Sequence, residues 1–144
     1  MRPSSRVAIT AVLLCTAASA TADQGAIDYR QAVYKAIGGH MSAIAGILKR
    51  EVPYGEDLEV HAAGVAALAP LTLHLFPPGS DEGRTKARAE IWEDPVTFAG
   101  RREDFIAAAT AFGDADSADM EAFVDAFRTL GGTCKACHDD FKDD

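Results

Sequence analysis

Seven residues near the end of the chain recur at alternating steps of three and four: Met120, Phe123, Phe127, Leu130, Cys134, Cys137 and Phe141. That spacing marks one face of a helix packed against other helices. It sets two cysteines among phenylalanines and a leucine on an inward stripe, with His138 directly after the second. Gly131 and Gly132 come just before them. A glycine inside a helix costs about 1 kcal/mol relative to alanine. It also removes side-chain bulk, so a flat, bulky group can lie close to the backbone.

The rest of the chain shows the same helical rhythm and no sustained strand alternation. A first helix is predicted from about Ala26 to Arg50, with Ile27, Tyr34, Ile37, Met41, Ile44 and Leu48 on one face. A second runs from about Glu56 to Phe76, with Leu58, His61, Val65, Leu68, Thr72 and Leu75 in register. Pro70 should kink it or end its regular part. "FPPGSDEG" breaks the pattern, and residues 80–93 read as a long connection plugged by the only tryptophan, Trp92. Asp94-Pro95 is a good start for a third helix, which runs to about Phe112 with Phe98, Arg102, Phe105, Ala109 and Phe112 on one face. The fourth begins near Ala118. The expected fold is all-α, an antiparallel four-helix bundle.

Residues 1–22 look like an export signal: Arg2 and Arg6, an apolar run from Val7 to Leu14, then Ala18-Ser19-Ala20 and Ala20-Thr21-Ala22 as small-x-small cleavage sites. The apolar run is too short to span a bilayer. Cys15 raises a lipid-anchored precursor, but bulky Leu14 stands where such sites want a small residue. The expected bundle domain is 23–144, in the periplasm, with no membrane insertion after cleavage. The whole chain carries a formal charge of −8, and loss of the two leader arginines makes the remainder more negative still. That balance disfavours nucleic acid and anionic membranes, and it suits a basic partner protein.

After cleavage Cys134 and Cys137 are the cysteines left. A disulfide between them would close too small a loop to add much stability. Cys-x-x-Cys-His is instead the attachment signature of c-type haem. Residues three apart share a helix face, so both sulfurs reach one porphyrin edge. The next residue turns about 100° further and brings its imidazole over the iron. A thioredoxin-like redox pair would sit at the start of a helix after a strand. A zinc site would need a fourth ligand, and no spacing of His40, His61 or His74 supports one.

Three stretches carry a family resemblance. "DYRQAVYKAIGGHMSAI", "ARAEIWEDPVTF" and "CKACHDDFK" resemble the first helix, the approach to the third helix and the C-terminal haem site of the class II cytochromes c. The best-known members are the cytochromes c′, themselves a standing example of the four-helix bundle. The resemblance implies one covalent haem c on Cys134 and Cys137, an axial bond from His138, and Arg30 close to a haem propionate. Lys142 matches a basic residue often found beside the axial histidine, where many members have arginine. It further implies a periplasmic protein, often a homodimer packed through its first two helices.

The family position facing the other side of the iron falls at Tyr34. A methionine there would bind iron; a bulky non-ligating residue leaves it five-coordinate and high-spin, behind a crowded distal face. Phenolate ligation by Tyr34 would need strong activation, given an ordinary phenol pKa near 10. Met41 is the rival ligand, but it lies about 10.5 Å further along the helix axis. The expected function is electron transfer by a redox protein that is not an enzyme, since no distal histidine–arginine pair is evident. The alternative is binding or scavenging of a diatomic gas, nitric oxide before carbon monoxide.

Overall fold

The computed structural model describes residues 20–143, so the expected leader lies outside the described residues except for its last three positions. Four long helices carry the fold: α1 (Ala20–Leu48), α2 (Leu58–Leu68), α4 (Pro95–Gly113) and α5 (Met120–Phe141), with a single-turn α3 (Glu90–Glu93) between α2 and α4. Among the described residues there is no strand, only an isolated bridge between Ala87 and Lys142. Neighbours in sequence pack as neighbours in space: α1 on α2, α2 on α4, α4 on α5. No comparable packing joins α1 to α5.

The helix ends follow from local chemistry. α1 stops in a paired C-terminal turn, with Arg50 N–H donating to the Ile47 carbonyl at 2.9 Å and Glu51 N–H to the Gly46 carbonyl at 2.9 Å. Arg50 takes φ 61°, the left-handed position that glycine usually fills in such a turn. Asp94 accepts from Thr97 N–H at 3.1 Å to cap α4, and Asp119 accepts from Ala122 N–H at 3.2 Å to cap α5. The cap bond also holds the Asp94 carboxyl below its ordinary pKa.

Pro70 ends the regular part of the second helix, as expected: α2 stops at Leu68. The chain tightens into a 3₁₀ segment, Ala69–His74, with proline in its first turn. Thr72, buried there, donates its hydroxyl to the Ala69 carbonyl at 2.7 Å. Arg102 of α4 donates Nη1 to the Thr72 and Leu73 carbonyls, at 3.4 and 3.0 Å, which meets part of the acceptor demand at that end.

The main core lies between α1, α2, α4 and α5 and centres on Phe112 and Phe123, both fully buried with ring centroids 4.9 Å apart. α2 and α4 approach closely at Gly113, where an added Cβ would sit 2.5 Å from the Ala66 Cβ. A smaller cluster of Ile91, Phe98 and Phe141, with Phe76, Trp92 and Cys137 against it, fills the end nearer the C-terminus. Trp92 does plug the connection, donating Nε1–H to the Pro77 carbonyl at 3.2 Å. Met120 corrects the expected seam: it is 45% exposed, because the first turn of α5 runs past the end of the core. Replacing Phe112 by alanine should cost about 3–5 kcal/mol of folding stability, measured as a shift in the urea unfolding midpoint of the holoprotein.

Candidate functional site

Where α1 and α5 fail to close on each other, a cleft of about 720 Å³ opens. Arg30 and Tyr34 line it from α1, Phe76 from the end of the 3₁₀ segment, and Cys137, His138 and Phe141 from α5. Residues 83–87 form its remaining edge. The structure thus brings together four of the five residues singled out in the sequence. Cys134, the fifth, does not line the cleft; it packs one turn earlier against the main core. Met41 also packs against the main core and lies outside the cleft lining, as do His40, His61 and His74.

Arg30 frames the cleft. It is 3% exposed, and its guanidinium donates to four acceptors on the connection after α2: the Leu75 carbonyl (3.3 Å), Ser80 Oγ (2.9 Å), the Ser80 carbonyl (3.0 Å) and Thr85 Oγ1 (2.8 Å). It also lies over the Phe76 ring, 4.6 Å from the centroid. Every one of these partners is neutral. No carboxylate meets this buried cation among the described residues, and burial lowers its pKa, with the nearby Tyr34 acting in the opposite sense.

The connection is fastened at its other end to the C-terminus. Arg88 N–H donates to the Phe141 carbonyl at 3.1 Å, and Asp143 N–H to the Lys86 carbonyl at 2.9 Å. Arg88 Nη1 donates to the Asp139 carbonyl at 3.0 Å, one of the last acceptors of α5. Arg101 pairs with Asp140 at 2.9 Å and ties α4 to the same end.

An aromatic chain forms the floor. Phe76 meets Tyr34 at 6.2 Å and Phe98 at 4.8 Å between centroids, and Phe98 meets Phe141 at 5.1 Å. Against this floor burial pushes the Tyr34 phenol far above its ordinary pKa, and the neighbouring Cys137 thiol pushes it further. Tyr34 is therefore a neutral phenol at neutral pH in the absence of a cofactor. Arg102, whose charge is felt by both Tyr34 and Cys137, has a buried Nε with no partner.

Cys134 and Cys137 are free, half-buried thiols. Burial raises both, Cys137 to about 11, so neither is an activated thiolate of the redox-enzyme kind. His138 sits more openly at the rim, and partial burial together with Lys142 lowers its pKa, which favours the neutral, ligating imidazole. A Cβ added at Gly131 or Gly132 would meet no other group within 4 Å.

Covalent haem fits these residues. Two unpaired thiols lie one turn apart beside a neutral-leaning imidazole, at a cleft with an apolar aromatic floor. The same cleft holds a buried cation that lacks an anion, and haem carries carboxylates. Sequence reasoning missed Phe76, Thr85 and Arg88. The run "FPPGSDEG" registers only as a break, and nothing local shows that its far side returns to meet both ends of the molecule.

Comparison with known proteins gives a consistent answer. A family model described as Cytochrome C′ matches residues 25–142. A cytochrome c′ of Rhodospirillum rubrum is 33% identical over 141 residues, covering 96% of each chain. Cytochrome c prime from Shewanella frigidimarina superposes with a TM-score of 0.78 at 32% identity, over 85% of this chain and 97% of that one. A ferrous variant of cytochrome c prime from Alcaligenes xylosoxidans with bound nitric oxide gives a TM-score of 0.76 at 28% identity, over 85% and 96% of the two chains.

Replacing Arg30 by methionine should free the connection from α1. Loss of charged hydrogen bonds of this kind costs about 1.5–3 kcal/mol each at most. The expected outcome is faster hydrogen exchange at the Ser80 and Ala87 amides with unchanged exchange around Phe112, read by mass spectrometry or NMR.

Proposed function

The chain belongs to the cytochrome c′ family, and from that premise we propose that it is an exported electron carrier whose haem is held by Cys134, Cys137 and His138, with no protein ligand on the iron's other face. Family membership makes it a c-type cytochrome of electron transport with covalently bound haem c. When bound, that group supplies a reversible one-electron couple tuned by its axial ligand and its surroundings.

The chain's own residues supply the rest. The two thiols would hold the group covalently, and His138 would supply a nitrogen ligand to its iron. Arg30 offers a countercharge to a haem carboxylate, which would relieve its burial without an anion. Tyr34, Phe76 and Phe98 keep water from the inner face with apolar surface. The observation that carries this reading is that Cys137, His138, Tyr34 and Arg30, from two helices distant in sequence, converge on one cleft.

We read the protein as a carrier rather than an enzyme, in line with the cytochrome c′ family to which it belongs. Its place is the periplasm, consistent with the expected leader and with the absence, among the described residues, of any helix long and apolar enough to cross a membrane. Its redox partner presents basic residues to a chain of formal charge −8. Two copies pair through α1 and α2, where Tyr29 and Val60 expose apolar surface.

A second function at the same site is binding of a diatomic gas, nitric oxide first. It is supported by Tyr34, a bulky side chain that lines the cleft beside Phe76, and by the nitric oxide complex of the Alcaligenes xylosoxidans relative. The ferrous protein should show a broad high-spin spectrum that changes on adding nitric oxide; a sharp, split low-spin pattern would exclude the open site.

Intact-mass measurement of protein exported by a host able to attach haem should show one haem per chain. The Cys134→Ala, Cys137→Ala double variant should lack it. Tyr34→Ala should accelerate nitric oxide and carbon monoxide association several-fold by stopped-flow absorbance, and unchanged rates would remove Tyr34 as the gate.

A further inference from the structure

Outside the cleft, α1 and α2 bring two imidazoles together. His40 Nδ1 and His61 Nδ1 are 2.9 Å apart, and the rings meet edge to face with centroids 5.2 Å apart. Both side chains are partly buried, and neither lines the haem cleft. The contact is built into the helix surface. Gly64 lies one turn after His61, and a Cβ there would fall 2.6 Å from His40 Cε1, 2.7 Å from Nε2 and 3.0 Å from Nδ1. The His40 ring therefore rests on bare backbone, in a notch that any other residue would fill. A glycine within α2 costs the helix about 1 kcal/mol relative to alanine, and what it accommodates is this ring.

We propose that His40 and His61 form a two-nitrogen site for a divalent transition metal of square geometry, Cu(II) or Ni(II), separate from the haem site. In the metal-free pair one Nδ1 carries a proton and the other accepts it, since two nitrogens this close cannot both be donors. On metal binding that proton moves to Nε2 of the same ring. The two Nδ1 atoms, directed at each other in the hydrogen bond, turn with their rings so that both lone pairs face one ion.

Ligand type and spacing both suit such an ion, since neutral imidazole is a good ligand for Cu(II) and Ni(II). At metal–nitrogen distances of about 2.0–2.1 Å, nitrogens 2.9 Å apart subtend about 90° at the metal. Tetrahedral zinc wants about 109°, which would hold them about 3.3 Å apart. Square-planar or tetragonal Cu(II) and Ni(II) take the right angle directly. Among the described residues no cluster of three or more histidine, cysteine or carboxylate groups offers a complete cage. Water fills the remaining positions on the open side, as it commonly does where a protein supplies only part of a coordination sphere.

The test uses ferric holoprotein titrated with copper(II) chloride, followed by calorimetry and electron paramagnetic resonance. The expected result is a copper signal split by two nitrogens, saturating at one ion per chain at this site. His61→Gln should weaken binding by at least about tenfold while the haem absorption spectrum, which reports an intact fold, stays as in the parent. Gly64→Ala keeps both histidines and improves helix propensity, yet it should weaken binding comparably by displacing the His40 ring. Equal affinity in the parent and both variants, or a signal without two-nitrogen splitting, would overturn the proposal.

Discussion

A buried cation with neutral partners organises this molecule. Arg30 reaches from α1 across to the connection that follows α2 and gathers Leu75, Ser80 and Thr85 around one guanidinium. Burying a charge is unfavourable unless its hydrogen bonds are met, and here they are met by one stretch of chain that has little other structure. That stretch goes on to pair Ala87 with Lys142 at the far end of α5. The result is a frame, running from α1 through the connection to the C-terminus, around a space that α1 and α5 leave open.

The frame also explains why the two thiols see different surroundings. Cys134 packs with the main core, and Cys137, one turn later, packs with the small aromatic cluster. A group bonded to both is anchored where the two cores meet. Tyr34, Phe76, Phe98 and Phe141 bound that place as one continuous aromatic surface. Electrostatics and sterics agree there. Burial keeps the phenol and both thiols protonated in the absence of a cofactor, and the floor beside them is apolar. Such insulation suits an electron carrier, and the proposed gas binding calls for the same crowding.

Along the chain, much was legible from periodicity and punctuation alone. Helix registers follow from the three-and-four spacing, and nearly every residue assigned to a seam is buried or partly buried, Met120 being the exception. Asp94-Pro95 and Asp119 start helices because the capping chemistry is local. The haem-attachment signature is legible for the same reason, since its members lie within one and a half turns. Pro70 is legible in part: the regular helix ends just before it, but the 3₁₀ continuation is held by Arg102 from another helix.

By itself, then, the sequence determined the four helices, their inward faces and the three residues that mark the cofactor, because each depends on neighbours within a turn or two. Only the tertiary structure decided which helices would stay apart, that Arg30 would hold the long connection instead of standing free for the cofactor alone, and that His40 and His61 would meet over Gly64. Those outcomes join residues twenty to fifty positions apart. They are fixed by packing and by the demand that buried polar groups find partners, and neither is written in any local stretch of the chain.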